Sequence, residues 1–293
     1  MATFGVYCPY ETLQSDALGT ATPDPDDIEE LRDYCTLASR MFDGACKRHF
    51  YPLIAARDYD HPADDTRLLL DEDLLEVSTF TTQNGDTTIT SGNYYLMCGG
   101  SYNVTPYDRI VLKSDSTQPN LSYSGTVQKA NTITATWGYH EDWANAWQDS
   151  GDTLQAAISS TTATSCTVSD VDGAGVYGMT PRFRVQDLIK IDDEFCYVTA
   201  KNTSTNVLTL RRGANGSTAA THDNGSTVYV YRVMHDIETA CRRLAKWLYD
   251  ARASSYTDEL TTTDAAGVTR IPPNAPALVR LVAERYKRRR INR

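Results

Sequence analysis

The sequence predicts an α+β fold: a helical-bundle core, made of a long N-terminal helix plus C-terminal helices, carrying two antiparallel β insertions, the second a small barrel or sandwich-like module. Three observations predict it. Apolar residues recur at steps of three and four near both ends of the chain, which is the period of one helix face. Between them lie short runs rich in Thr, Val and Tyr, broken by Gly, Asn, Pro and Asp at turn spacing, the pattern of antiparallel strands. Tyrosine outnumbers phenylalanine 18 to 6, and tyrosine suits half-buried sheet faces and contact surfaces.

The first helix lies in "TPDPDDIEELRDYCTLASRMFDGACKRHFYP". Asp24 caps it, Pro25 takes the first helical position, and Asp26 and Asp27 meet the positive end of the helix dipole. Ile28, Leu31, Cys35, Ala38, Phe42, Ala45 and His49 form its apolar stripe, and Pro52 closes it. "RLLLDEDLLEVSTFTTQNGDTTIT" holds a hairpin, because Asn84-Gly85 supplies the two positive-φ residues of a type I′ turn. "NYYLM", "DRIVLKSD" and "NTITATWGYHEDW" are further strands of that unit, and "EDWANAWQDSGD" places Trp143 and Trp147 on one helical face. A second β stretch runs from about Ser159 to Tyr231, with two strands around Asp192-Asp193, another at "NVLTLRR", a Gly-Asn-Gly turn and a last strand after Asn224-Gly225.

Helical spacing returns at Ile237, Ala240, Cys241, Leu244, Trp247, Leu248 and Ala251. A last helix, capped by Asn274, carries Leu278, Val282 and Tyr286 on one side. The first and last helices are expected to pack together, since neither can bury its stripe alone. The predicted domains are a discontinuous helical core of residues 1–56 and 232–293, a β-rich unit of 57–150 and an inserted β module of 151–231.

A chain of 293 residues accommodates one large domain or two smaller ones. The formal net charge of −10 excludes a protein that binds nucleic acid over its whole surface. The opening "MATFGVYCPYETLQ" has neither the basic nor the apolar region of a signal peptide, and no apolar run approaches the roughly 20 residues that span a bilayer. The cysteines at 8, 35, 46, 98, 166, 196 and 241 are odd in number, scattered and without a CxxC. They read as reduced core thiols of a protein folded in a cytosol, with a Cys166–Cys196 disulfide as the pairing left open.

Catalytic signals are sparse. Of His49, His61, His140, His222 and His235, only His49 stands near a nucleophile, Cys46, on the same helix face, and no third orienting group is apparent. HExxH, GxSxG, P-loop and GxGxxG motifs are absent. The carboxylates at Asp64-Asp65, Asp71-Glu72-Asp73 and Asp192-Asp193-Glu194 read as solvated turns rather than a glycosidase pair about 5–10 Å apart. "DVDG" at Asp170–Gly173 lacks the rest of a calcium loop. Trp137, Tyr139, Trp143 and Trp147 can form a sugar-binding platform, but a seam between the β unit and a helix is the commoner arrangement. No enzyme, cofactor or metal is called for. The one marked charge feature is polar: Asp24, Asp26, Asp27, Glu29, Glu30 and Asp33 at one end of the helical part, and Arg280, Arg285, Lys287, Arg288, Arg289, Arg290 and Arg293 at the other. Such a molecule suits neighbours of opposite sign, including copies of itself.

These segments taken together, "YCTLASRMFDGACKRHFYP", "LLLDEDLLEVSTFTTQNGDTTIT", "YYL", "PYDRIVL", "TATWGYHEDW" and "IETACRRLAKWLYDAR" with its basic sequel, resemble the head–tail connector (adaptor, head-completion) proteins of tailed bacteriophages. The resemblance covers most of the chain outside Ser159–Tyr231. That insertion looks like a β module recurrent in phage structural proteins, and compact connectors lack one so large. The resemblance implies a non-enzymatic virion protein, made in the bacterial host cytoplasm and placed in the neck between portal and tail. Its helical-bundle core would assemble as a ring of about twelve copies that extends the channel for double-stranded DNA. The implied partners are the portal protein, further copies of the chain and a tail or tail-completion (nozzle or stopper) protein, with no membrane. The basic residues from Arg280 to Arg293 are the implied portal contacts, while Ile28, Leu31, Ala38, Phe42, Ile237, Leu244 and Leu248 form the helical core. The alternatives are a stopper or tail-completion protein of the same neck, and a carbohydrate- or receptor-binding β module on a helical stalk.

Overall fold

The computed structural model describes residues 5–19, 22–251, 262–263, 269–270 and 275–288. In chain order the helices and strands are α1 (Tyr10–Leu18), α2 (Pro25–Cys46), β1 (Leu53–Tyr59), β2 (Arg67–Thr82), β3 (Thr87–Thr88), β4 (Tyr94–Cys98), β5 (Ser101–Tyr102), β6 (Tyr107–Leu112) and β7 (Asn131–Trp137). There follow β8 (Trp147–Thr153), β9 (Ser165–Thr167), β10 (Leu188–Ile191), β11 (Glu194–Asn202), β12 (Val207–Arg211), β13 (Thr227–Tyr231), α3 (His235–Ala251), a small β14–β15 pair (Thr262–Thr263, Thr269–Arg270) and α4 (Ala277–Arg285). They form two compact units, one from the described residues up to His49 and from Asn145 to Arg288, the other Phe50–Ala144.

In the first unit, α2 starts where local chemistry dictates. The Asp24 carboxylate accepts from the Asp27 backbone N–H at 2.8 Å, and the Asp27 carboxylate accepts from Asp24 N–H at 3.2 Å, with Pro25 following the cap. Leu31, Cys35, Ala38, Phe42 and Cys46 are buried along one stripe. Lys47 turns left-handed (φ 55°) and ends the helix, so His49 lies outside it and the expected Cys46–His49 helical face does not exist. α3 buries Ile237, Cys241, Leu244 and Leu248 against α2, where Ser39 Oγ meets Cys241 Sγ at 3.7 Å and Tyr34 packs edge-on to Tyr249 at 5.9 Å. Of the expected helical-core residues only Ile28 is half-buried; Leu31, Ala38, Phe42, Ile237, Leu244 and Leu248 are interior.

The same unit contains a six-stranded antiparallel sheet in the order β8-β13-β10-β11-β12-β9. A bridge between Leu154 and Val168, just beyond the two edge strands, links the sheet's ends. Alternate residues point inward: Ile189 and Ile191, Cys196 and Val198, Leu208 and Leu210, Val228 and Val230, with Phe183 filling the centre. At roughly 1.5–3 kcal/mol per buried aliphatic side chain, this interior is a core in its own right. It is tied to α1 by polar contacts. Glu11 accepts from Val185 N–H at 2.9 Å and from Lys201 Nζ at 2.7 Å, and Gln186 Oε1 accepts from Tyr10 N–H at 3.1 Å.

The second unit is a seven-stranded antiparallel sheet, β1-β7-β2-β6-β4-β5 with β3 on β2. The long β2 pairs with β6 along its first part and β7 along its second, with register shifts between Leu69 and Leu74, Leu74 and Glu76, and Val77 and Thr79. Such bulges bend a strand, and its Leu74 and Phe80 share one core with Ile110, Ile133 and Trp137. The hairpin at Asn84-Gly85 forms with a wider loop than a type I′ turn: Thr82 pairs with Thr87, and Gln83, Asn84 and Gly85 all have positive φ.

The fold class therefore differs from the expectation. About 13 strands in two antiparallel sheets make up 32% of the protein and helices 27%. The protein is mostly β, and a helical-bundle core is not its frame. The helical stripes are real, but each β part closes over its own apolar interior, a property set by strand pairing that helical periodicity cannot report.

Candidate functional site

The C-terminal helix was expected to carry the contact surface. α4 begins at Ala277 behind Pro276; the expected cap, Asn274, lies outside the described residues. Val279, Val282 and Ala283 are buried, and Tyr286 is 3% exposed with its hydroxyl donating to Asp236 Oδ2 at 2.8 Å. Arg285 reaches the same carboxylate at 3.3 Å, and Lys287 pairs with Glu284 at 3.1 Å. The backbone N–H of Arg288 donates to Cys46 O at 2.8 Å. Arg280 is exposed and has no ion pair among the described residues. Arg289, Arg290 and Arg293 lie outside the described residues. The anchoring of Tyr286 means that the basic segment can be trimmed only after Arg288 if α4 is to stay seated.

The aromatic group is dispersed. Trp137 is fully buried in β7, and its Nε1 donates to Ala55 O at 2.8 Å. Tyr139 packs edge-on to Phe50 at 5.8 Å. Trp143 sits in a single 3-10 turn, Trp143–Asn145, and Trp147 opens β8, packing on Phe195 at 4.9 Å and Tyr231 at 5.2 Å. The shared helical face expected for Trp143 and Trp147 does not form, because Trp147 pairs in register with Tyr231, and strand pairing overrides the i, i+4 spacing.

The most organised polar constellation is one that sequence reasoning missed. The β10–β11 hairpin turns at Asp192-Asp193, with Asp192 at φ 50°, and swings Glu194 inward. Its carboxylate accepts from Arg212 Nε at 2.7 Å and Nη2 at 2.6 Å, from the backbone N–H of Gly213 and of Ala220, both at 2.9 Å, and faces His222 Nε2 at 2.9 Å. His222 Nδ1 faces Asp192 Oδ2 at 2.7 Å. Arg212 also donates to Ala220 O. Arg212 and Glu194 side chains are 5% and 0% exposed. Burial by itself would raise the Glu194 carboxyl; the Arg212 guanidinium, the Ala220 and Gly213 amides and His222 outweigh it and bring it from 4.5 down to about 2. The acidic turn read as solvated is so only at its tip. The available signal was the company it keeps, since an Arg-Gly and a His flank the next turn.

This constellation holds the 212–222 loop and lacks an activated nucleophile. Cys196 Sγ lies 3.4 Å from Glu194 Oε1, and burial, with that carboxylate beside it, pushes the thiol up. Burial likewise pushes Cys46 and Cys166 up to about 12, and all seven cysteines are free thiols, Cys166 and Cys196 included. At "DVDG", Asp170 Oδ1 accepts from Asp172 and Gly173 N–H at 3.2 and 2.9 Å. The neighbouring cation is Arg182, 2.7 Å from the buried Asp152. Among the described residues no group of three His, Cys, Asp or Glu is arranged to hold a metal ion.

A cavity of about 450 Å³ in the second unit is bordered by Asp58, Asp60, His61 and Asp64. Asp58 is held by Thr132 (2.9 Å) and Lys129 (3.3 Å), Asp60 by Lys129 N–H (3.0 Å) and Asp64 by Arg67 (2.8 Å). Glu72 forms a bidentate pair with Arg57, both contacts at 3.1 Å. Neither protein-family models, nor characterised proteins, nor solved structures match this chain.

Proposed function

We propose that this chain is a structural protein of a tailed-phage neck, a head–tail connector that assembles as a ring of about twelve copies between portal and tail. The observation that carries the reading is the seating of α4: Val279, Val282, Ala283 and Tyr286 hold it on the helical layer while Arg280, Leu281 and Arg285 face outward. A fixed helix with an outward basic face suits docking on an acidic partner, because arginine pairs carboxylates bidentately. The resemblance of the quoted segments to connector proteins supplies the partner, the portal. The net charge of −10 suits a channel through which DNA slides, since like charge prevents tight phosphate binding. The sheet-dominated architecture is a departure from the helical-bundle connectors. Portal contact is therefore assigned to the α4 face and the segment after it, rather than to a bundle. The carbohydrate-binding reading is weakened, since Trp137 of its four aromatic residues is buried.

Quantitative mass spectrometry of purified particles tests the reading. About a dozen copies per particle support it. Hundreds of copies, or none, overturn it. Truncation after Arg288, which leaves Tyr286 in place, is expected to weaken portal binding without changing the melting temperature.

A further inference from the structure

α2 and α4 each carry a second, outward stripe of exposed residues. On α2 it consists of Asp26, Glu29, Asp33 and, at its end, Leu37, which is 40% exposed. These positions fall within one face at steps of three and four. Asp26, Glu29 and Asp33 have no ion pair among the described residues. On α4 the outward face holds Ala277, Arg280, Leu281, Glu284 and Arg285, with Arg285 also reaching Asp236 and Glu284 paired to Lys287 while both stay exposed. Leu281 is 69% exposed, the most exposed large hydrophobic of the protein's described helices. Each stripe is thus an apolar contact beside charge, acidic on α2 and predominantly basic on α4.

The spacings match when the helices run antiparallel. With Leu37 set against Leu281, the residue four before Leu37 is Asp33 and the residue four after Leu281 is Arg285. Both lie about 6 Å from their leucine along the axis. Continuing the count, Glu29 stands eight before Leu37 on the same acidic stripe. The α4 of the same copy cannot take this place. It is fixed at the other end of α2, where Arg288 N–H donates to Cys46 O and Cys46 Sγ lies 3.5 Å from Ala283 O.

We infer that the Asp26–Leu37 stretch of α2 in one copy docks on α4 of the next, as a head-to-tail contact between identical chains with Leu37 on Leu281 and Asp33 on Arg285 beside it. Such a heterologous contact repeats from copy to copy and closes into a ring when the rotation permits. The inference rests on the connector reading for ring closure, not for the pairing itself.

The test is sedimentation velocity of the full chain at low salt. Glu29→Arg with Asp33→Arg gives a chain basic on both stripes; Arg280→Glu with Arg285→Glu gives one acidic on both. Each variant alone is expected to be monomeric where the wild type assembles. Mixed one to one they regain assembly, because every junction in an alternating array is again of opposite sign. Leu281→Ser is expected to weaken wild-type assembly at least tenfold. Assembly of either charge variant alone, or failure of the mixture, overturns the inference; so does a wild type that stays monomeric at its highest soluble concentration. None of these outcomes alters the particle copy number, so the connector reading is judged separately.

Discussion

Replacing Glu194 by Gln keeps the side chain's size and removes one charge from the polar network of the six-stranded sheet. The native carboxylate offers only acceptors, to Arg212 and Gly213 on Oε1 and to Arg212, Ala220 and His222 on Oε2. A glutamine must set an NH₂ against one of these groups of donors. The magnitude follows from the carboxyl's displacement from 4.5 to about 2; at about 1.36 kcal/mol per pKa unit this is about 3 kcal/mol. It agrees with the roughly 3–5 kcal/mol lost when one partner of a buried ion pair is removed, and Glu194 is fully buried. A depressed carboxyl contributes stability above its unfolded pKa and loses it as pH falls through the folded value. The gap between wild type and Glu194→Gln is therefore about 3 kcal/mol at pH 7, starts to shrink below about pH 4.5 and nearly closes at pH 2. Urea unfolding across that range measures it. Hydrogen exchange of the 213–222 segment at pH 7 is expected to quicken about a hundredfold. A gap under about 1 kcal/mol at pH 7, or one unchanged at pH 2, refutes the account of the network as a charge-stabilised clamp.

The half-buried Asp43 accepts from the Tyr7 hydroxyl and pairs with Arg40 at 2.9 Å. Burial raises its carboxyl to about 7 despite Arg40, so ionising it costs stability as pH rises from about 4 to 7, and Asp43→Asn should flatten that fall in a melting-temperature series. Tyr286→Ala removes a buried ring and its bond to Asp236; a loss of about 2–4 kcal/mol is expected in thermal unfolding. Trp137→Ala should cost about 3–5 kcal/mol through the Phe50–Ala144 unit, with unfolding rather than selective loss of sugar binding as the readout. In native protein a thiol reagent should label Cys98, the one half-buried cysteine, while the other six react only on unfolding, as counted by mass spectrometry. Deleting residues 151–230 should yield aggregate rather than a soluble helical core, because Glu11 and Tyr10 lose Val185, Lys201 and Gln186 as partners; a monodisperse helical product would contradict this.

What the sequence determined by itself was local. The cap at Asp24, the stripes of α2 and α3 and the two-residue turn at Asp192-Asp193 follow from spacing and backbone preference within a few residues, and the structure contains them. The charge polarity of α2 against α4 is also a matter of counting. Tertiary structure alone decided what depends on contacts distant in sequence. It decided that the strands close over two interiors and leave the helices a minor part, that Trp147 pairs with Tyr231 instead of stacking above Trp143, and that Glu194 turns inward to Arg212 and His222. The join of Glu11 to Lys201, 190 positions apart, is of the same kind. Local propensities fix elements, whereas pairing between distant strands fixes which face of each element is buried, and no period within one segment encodes that choice.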